Sequence, residues 1–267
     1  MHIIVCIKQV PDPEAPPSAF KVDEGAKKVA LAPGVGLVIS QFDAIAVEAA
    51  LRIRDALGEA KVTLLSLGPD GARDAIKHGL AMGTDEGVLL TDKAFDGSDS
   101  YTTALALATA IKKLAPYDLV LCGRQAVDWD MGQVGSGIAE LLGIPSVTIA
   151  KKVEVVDGAA RVERVLLDGF ETVEAPLPCL VTVSNELGEP RYPQLRQIMM
   201  ATRKQVPVWA AADLGLDPSQ LGSAGARLEL ARLYIPVVEA RCELMDGDSP
   251  QEMAQKLARR LREEKLI

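Results

Sequence analysis

Residues Asp118–Leu142 read DLVLCGRQAVDWDMGQVGSGIAELL, and this stretch decides the fold. Its first five residues, Asp118–Cys122, are almost continuously apolar, which is typical of a strand buried on both faces of a parallel sheet. Val134–Leu142 has the spacing of a helix, and a glycine-rich loop separates it from the strand. The stretch therefore predicts one strand–loop–helix unit of a parallel sheet.

The same alternation of strand and helix precedes this unit. The predicted strands are Ile3–Ile7, Val62–Leu67 and Gly87–Leu90, and the predicted helices are Phe42–Leu57, Ala72–Met82 and Tyr101–Leu114. Gly58 and Gly83 stand where a left-handed residue would end the first two helices. Repeated units of this length predict an α/β fold, a parallel twisted sheet with helices on both faces.

A period-two pattern follows the unit. It covers Lys151–Val156, Arg161–Leu167, Glu171–Glu174 and Leu180–Val183, with Asp157-Gly158 and Asp168-Gly169 as turn signals. We expect these runs to be an antiparallel extension of the same sheet. A smaller hairpin is predicted from Phe20–Val22 and Lys28–Leu31.

The regular alternation stops after Ser184. We expect an apolar strand-like stretch at Leu228–Pro236 and a last helix that begins at Ser249-Pro250, with Met253, Leu257 and Leu261 as its apolar face. The chain is accordingly divided into an α/β domain, residues 1–185, and a tail, residues 186–267.

Composition excludes several classes of function. The net charge of −8 and the 4% of aromatic residues argue against a protein that grips nucleic acid. No run is long and apolar enough for a membrane-spanning helix, and the first residues lack the features of a secretory signal. Four separated cysteines and two histidines fit no zinc pattern, so we expect no metal site, reduced thiols and a cytoplasmic protein.

The glycine-rich helix start is the candidate binding site. Gly132, Gly135 and Gly137 would let backbone N–H groups approach an anion such as a nucleotide phosphate, although they would equally let the helix pack closely on the sheet. Neither a dinucleotide-binding GxGxxG nor a phosphate-binding P-loop is present. Asp128 and Asp130 have no partner base nearby in the sequence, so no catalytic side chain is predicted.

A second unusual segment is Glu189–Gln205, EPRYPQLRQIMMATRKQ. From Arg191 to Ala212 it has four basic residues and no acidic one, and it includes an apolar Leu195 that is expected to be exposed. This mixture suits docking to an acidic partner protein. A positively charged helix on an otherwise acidic surface explains it equally well.

These segments together resemble the beta subunit of the electron transfer flavoproteins along essentially the whole chain. The resemblance rests on the motifs CIKQVPD, FDAIAVEAALRIRD, LSLGP, HGLAMGTDEGVLL, DLVLCGRQAVDWDMGQVG, VERVLLDGFETVEAPLPCLVTV and EPRYPQLRQIM. It implies a Rossmann-like, adenine-nucleotide-binding fold and a heterodimer with an alpha subunit, whose FAD accepts electrons from flavin-containing dehydrogenases. The beta subunit would share the seat of that FAD, hold a nucleotide of its own and clasp its partner with its C-terminal tail.

The resemblance also implies which residues bind. The cofactor-binding residues would be Cys6, Ile7, Lys8, Ser40, Gln41, Phe42, Asp43, Ser66, Leu67, Gly68, Gly123, Arg124, Gln125, Ala126, Val127, Asp128, Trp129, Asp130, Met131, Gly132, Gln133 and Val134. The partner-docking residues would be Arg191, Tyr192, Leu195, Arg196, Ile198 and Met199.

Two readings of the nucleotide remain open. Val10-Pro11-Asp12 and Gln133-Val134-Gly135 resemble members that hold a second FAD and carry out electron bifurcation. Trp129 departs from that pattern, as do Met131-Gly132 and Ser40-Gln41, so an AMP-binding electron shuttle is the alternative. A standalone adenine-nucleotide-binding regulatory module is a further alternative, but it would not need the tail after Ser184.

Overall fold

The computed structural model describes residues 1–237 and 242–267. They form two compact units: Met1–Lys21 with Val29–Ala231, and Val22–Lys28 with Arg232–Ile267. The strands are β1 His2–Ile7, β2 Gln9–Pro11, β3 Phe20–Asp23, β4 Lys28–Leu31, β5 Leu37–Ile39, β6 Lys61–Leu67, β7 Glu86–Leu90, β8 Leu119–Gly123, β9 Ser146–Val156, β10 Ala159–Leu166, β11 Gly169–Pro176, β12 Cys179–Val183 and β13 Val208–Trp209. The α-helices are α1 Gln41–Leu57, α2 Arg73–Met82, α3 Ser100–Lys113, α4 Val134–Leu142, α5 Leu195–Arg203, α6 Gly222–Gly225 and α7 Pro250–Glu263.

A nine-stranded sheet in the order β11-β10-β9-β12-β8-β1-β6-β7-β13 organises the larger unit. The pairs from β9–β12 across to β7–β13 are parallel. From β1 the chain proceeds outward to β6 and β7, and it then returns to place β8 on the other side of β1. The order therefore reverses at β1, as in doubly wound sheets.

Helices cover both faces of this sheet, which confirms the predicted α/β architecture. Alternate side chains of β1 enter opposite layers, because successive residues of a strand point to opposite faces. Ile3 and Val5 belong to the core layer that includes buried residues of α1 and α2. Ile4 and Cys6 belong to the layer that includes buried residues of α3 and α4.

The antiparallel extension is shorter than predicted. It consists of β9, β10 and β11, joined by tight turns at the two expected Asp-Gly positions. The prediction was wrong for Leu180–Val183, which lie in the parallel strand β12 between β8 and β9. Every residue of β12 is buried, and the polar Thr182 that imitates an alternating pattern accepts a hydrogen bond from the Ile149 backbone N–H at 3.0 Å.

The expected strand at Leu228–Pro236 is also absent, since these residues adopt no regular secondary structure. At its start, the backbone N–H groups of Arg227 and Leu228 donate to the carboxylate of Asp99, at 2.7 and 3.0 Å, rather than to a neighbouring strand. The backbone at the start of this stretch is therefore bound by a side chain, and its apolar composition alone does not make a strand.

The local signals for the last helix are confirmed. Ser249 is the N-cap of α7 and accepts the Glu252 N–H at 3.2 Å, with Pro250 in the first turn. None of the residues of α7 is buried. Among the described residues, no helix combines the length and the apolar character that crossing a bilayer requires.

Gly87 gives a direct test of the packing of α2 on the sheet. A Cβ at this position would lie 2.3 Å from Cγ2 of Ile76, whereas a Cβ at Gly36 would meet nothing within 4 Å. We expect Gly87→Ala to lower the free energy of unfolding by about 1–3 kcal/mol through overpacking. Denaturant unfolding measures the loss. Gly36→Ala is the matched control, and equal effects of the two substitutions would contradict this packing.

Candidate functional site

The candidate site lies where the strand order reverses. In open parallel sheets, ligands bind beyond the carboxyl ends of the strands at this switch point. Here the two strands that diverge are β1 and β8, paired in register from Ile3 opposite Leu119 to Cys6 opposite Cys122. The predicted residues Lys8 and Gly123 lie at the ends of these strands, so the fold brings them to one crevice.

Asp43, in the first turn of α1, connects both strand ends. Its buried carboxylate accepts the Lys8 backbone N–H at 2.8 Å and the Gly123 backbone N–H at 3.1 Å. A Cβ on Gly123 would lie 2.5 Å from Oδ1 of Asp43 and 2.8 Å from the carbonyl carbon of Phe42. Glycine is therefore required at the end of β8, because only its missing side chain lets α1 approach this closely.

The loop after β8 is fixed at two further points. The Lys8 ammonium donates to the Asp128 carboxylate at 2.7 Å, which ties the loop to the end of β1. The Gln125 side-chain amide donates to Asp130 at 2.8 Å, and Asp130 has a φ of 51°. The loop therefore has a defined shape over the crevice.

The helix that follows this loop presents a free N-terminus. The residue at the N-cap position of α4, Gln133, makes no side-chain capping hydrogen bond, and the first turn contains no acidic residue. The N-terminus of α3, by contrast, is capped by Asp99, whose carboxylate accepts the Thr102 N–H. Uncapped N–H groups and the positive end of the helix dipole make α4 suited to an anion.

The basic segment forms a second candidate surface, separate from the crevice. It contains the helix α5, in agreement with the alternative prediction of a positively charged helix. Ala201 is the buried residue of this helix, whereas Leu195 is 74% exposed and Tyr192, just before the helix, is 94% exposed. Ile198 and Met199 are exposed too. The apolar face of α5 therefore points to solvent, and a groove of about 650 Å³ runs between α2 and this segment.

Arg191 differs from the other predicted docking residues, because it is bound within the chain. Its guanidinium donates to Glu48 at 2.8 and 3.2 Å and to Asp55 at 2.9 Å, and its backbone N–H donates to Glu48 at 3.0 Å. Burial would raise the pKa of Glu48, but the hydrogen bonds from Arg191 and Arg52 hold it below its ordinary value. The ion pair thus attaches the start of the segment to α1.

The model of the electron transfer flavoprotein domain family matches residues 29–214. The chain belongs to this family. It is 42% identical over 268 residues to the electron transfer flavoprotein subunit beta of Thermoanaerobacterium thermosaccharolyticum, with 100% of each chain covered. The caffeyl-CoA reductase–Etf complex subunit CarD of Acetobacterium woodii is 38% identical, again over 100% of both chains. Protein FixA of Azorhizobium caulinodans is 39% identical, over 90% of this chain and 86% of its own.

In this electron transfer flavoprotein chain, two buried side chains test whether the crevice fits a ligand. The hydroxyl oxygens of Ser40 and Ser66 are buried and have no hydrogen-bond partner among the described residues. Ser66 is the register partner of Ile7 at the end of β1, and the Ser40 N–H donates to the Lys8 carbonyl, so both belong to the same strand ends. Buried polar groups without partners are rare in folded proteins, and these two lie at the strand ends that form the crevice.

Other predicted cofactor-binding residues belong to β1, to the end of β6, to α1 and to the loop after β8. Cys6 is buried in β1, while Leu67 and Gly68 end and follow β6. The Arg124 guanidinium lies 5.1 Å from the centroid of the Phe42 ring. Trp129 and Met131, farther along the loop, are about half exposed.

Sequence reasoning missed Ser184 at this edge of the sheet. Ser184 directly follows β12, is buried, and accepts a hydrogen bond from Arg124 at 3.4 Å. Like Lys8, Ser184 directly follows a strand of the parallel sheet, and that position is the signal for a site residue. The prediction of an antiparallel β12 concealed this signal.

The acidity of Asp43 gives the site a pH dependence. Burial raises its pKa to about 7, against the opposing effect of the hydrogen bonds from Lys8 and Gly123. Because the unfolded value is 3.8, the folded chain binds this proton more tightly. The resulting contribution to stability is complete below the unfolded pKa and is lost as the pH rises through the folded one.

Asp43→Asn removes this titration. From about pH 5.5 to about pH 8, we expect the free energy of unfolding of the wild type to fall by about 2 kcal/mol relative to that of the variant. Chemical denaturation across this range measures the difference. Asp168→Asn, which alters an exposed turn carboxylate, is the control. Wild-type and Asp43→Asn stabilities that run parallel with pH would refute the raised pKa.

Proposed function

We propose that this chain is the beta subunit of a heterodimeric electron transfer flavoprotein, which passes electrons from flavin-containing dehydrogenases to an acceptor. Relatives that cover the whole chain at about 40% identity support the role of beta subunit. The alpha subunit would be its partner in the heterodimer. The recognition segment and C-terminal arm, residues 186–267, would contact partner proteins through α5 and through the apolar residues of α7.

The crevice at the switch point is the observation that supports a nucleotide in this chain. Lys8, Ser40 and Ser66 would hold polar groups of the nucleotide, and the N-terminus of α4 would receive a phosphate. A bound FAD would supply the redox chemistry, since flavins accept and release electrons and protein side chains do not. The role of this chain is then to hold the nucleotide in a fixed position and orientation.

The choice between a second FAD and AMP rests on the loop and on the N-terminal motif. Val10-Pro11-Asp12 and Gln133-Val134-Gly135 favour FAD and, with it, flavin-based electron bifurcation. We therefore propose a second FAD in this crevice, with AMP in a non-bifurcating shuttle as the competing occupant.

Counting nucleotides distinguishes these occupants. We expect the co-expressed pair of subunits, denatured to release its nucleotides, to give about two FAD per heterodimer, one of them held by the crevice of this chain. Chromatography of the solution that remains after the denatured protein is removed gives the number of FAD and AMP molecules. One FAD and one AMP would replace bifurcation by the shuttle function. A single FAD without any second nucleotide would contradict the proposed site.

Dehydrogenase docking is assigned to the exposed apolar face of α5. Leu195 is the most exposed of its large apolar residues and lies at the first turn, next to the exposed Tyr192. Arg196 and Arg203 add positive charge to Arg191–Ala212, which has no acidic residue, and this favours encounter with an acidic surface.

Leu195→Ala tests this assignment. We expect flavin content to remain unchanged and the rate of reduction by the partner dehydrogenase to fall about tenfold or more, as when a central anchor is truncated. Stopped-flow absorbance of the flavin measures the rate. Met200→Ala removes a comparably exposed side chain of the same helix and serves as the matched control. Unchanged reduction of the Leu195→Ala pair would remove Leu195 from the docking site.

A further inference from the structure

The exposure of Trp129, in the loop after β8, is not explained by the contacts described above. Its side chain is 50% exposed. The second tryptophan, Trp209, is partly buried against the core, with the Lys113 ammonium 4.4 Å from its ring centroid. An indole that is left half in water loses much of the hydrophobic stabilisation that its size offers.

The backbone on both sides of Trp129 is held firmly. Asp128 before it is paired with Lys8, and Asp130 after it accepts from Gln125. The Asp130 N–H also donates to the carbonyl of Ala126 at 2.9 Å, which closes a turn around Trp129. Trp129 therefore belongs to an anchored turn, and its exposure does not arise from an unattached loop.

The surroundings of this turn define the chemistry of a ligand. Five residues further along the chain, α4 begins with the uncapped N-terminus that suits an anion. The unpartnered buried hydroxyls of Ser40 and Ser66 lie at the neighbouring strand ends. A nucleotide combines an anionic phosphate and a planar ring, and so matches the uncapped N-terminus of α4 and an exposed aromatic side chain.

We propose that Trp129 stacks on the planar heteroaromatic ring of the nucleotide in this crevice and thereby contributes to selecting ligands that carry such a ring. The inference rests on the proposed nucleotide-binding function and adds the residue that recognises the ring. The ring is an adenine or an isoalloxazine, since both present a flat π-face to an indole.

Binding by the full-length chain tests the stacking. AMP, FAD and ribose 5-phosphate, which has the sugar and phosphate but no ring, are titrated into the wild type, Trp129→Phe and Trp129→Ala by calorimetry. We expect Trp129→Ala to weaken AMP or FAD about tenfold to a hundredfold. Trp129→Phe should stay within about threefold, because it retains an aromatic face. All three proteins should bind ribose 5-phosphate equally. A loss of affinity for both AMP and FAD identifies adenine, because both ligands carry it, whereas a loss for FAD alone identifies the isoalloxazine.

Tryptophan fluorescence provides a second test of the stacking, because the chain has few tryptophans. The chain has two, so Trp209→Phe leaves Trp129 as the only tryptophan fluorophore and also serves as the aromatic control remote from the loop. We expect ring-bearing ligands to quench its emission and ribose 5-phosphate to leave it unchanged.

Three results would overturn the proposal. Equal AMP and FAD affinities in the wild type and Trp129→Ala, with unquenched emission, would remove the stacking while leaving the nucleotide function intact. Tighter binding by Trp129→Ala would mean that the indole occupies the space of the ring. Failure of every folded variant to bind either nucleotide would overturn the proposed function and the stacking together.

Discussion

The Asp43 carboxylate provides the interaction on which the rest of the site depends. It accepts backbone N–H groups from the ends of two strands that the chain connects in opposite directions, while it belongs to the first turn of α1. Leaving such donors unpaired in a buried position would cost free energy comparable to a lost hydrogen bond for each. One side chain thus fixes β1, β8 and α1 relative to one another, and the crevice of the switch point takes its shape from this arrangement.

The same constraint explains why this site is made largely of backbone groups and small residues. Gly123 must be glycine for Asp43 to reach both strand ends. Gly135 packs closely against β12, because a Cβ at this position would lie only 2.7 Å from Cγ2 of Thr182. These close approaches bring α1 and α4 down onto the sheet with their N-termini at its carboxyl edge. When a cofactor carries the redox chemistry, the protein must fix the position of that cofactor and bind its anionic groups. It has less need of reactive side chains.

Local patterns predicted most of the architecture because each element carries its own signal. Continuous apolar runs identified the buried strands, and Gly58 adopts the left-handed conformation that ends α1. What the sequence could not supply was pairing. The polar Thr182 made the fully buried strand β12 resemble an alternating one. Its hydroxyl oxygen accepts the Ile149 N–H, and this contact between residues far apart in the sequence cannot be read from the local pattern. Likewise the ion pair between Arg191 and Glu48, 143 positions earlier, is known only from the fold. Interactions between distant residues decided both cases.

Helical periodicity also leaves open which way an apolar face points. Leu195, Ile198 and Met199 have the spacing of a face that would normally enter a core. In the fold, however, the small Ala201 packs inward, and the Lys77 ammonium binds the carbonyl groups of Ala201 and Thr202 at the end of α5. With one end tied to α2 and the Arg191 ion pair holding the preceding segment to α1, the helix cannot turn its larger apolar side chains inward without breaking these bonds. The outward orientation is therefore built into the structure, and covering that face requires a surface that this part of the chain does not itself provide.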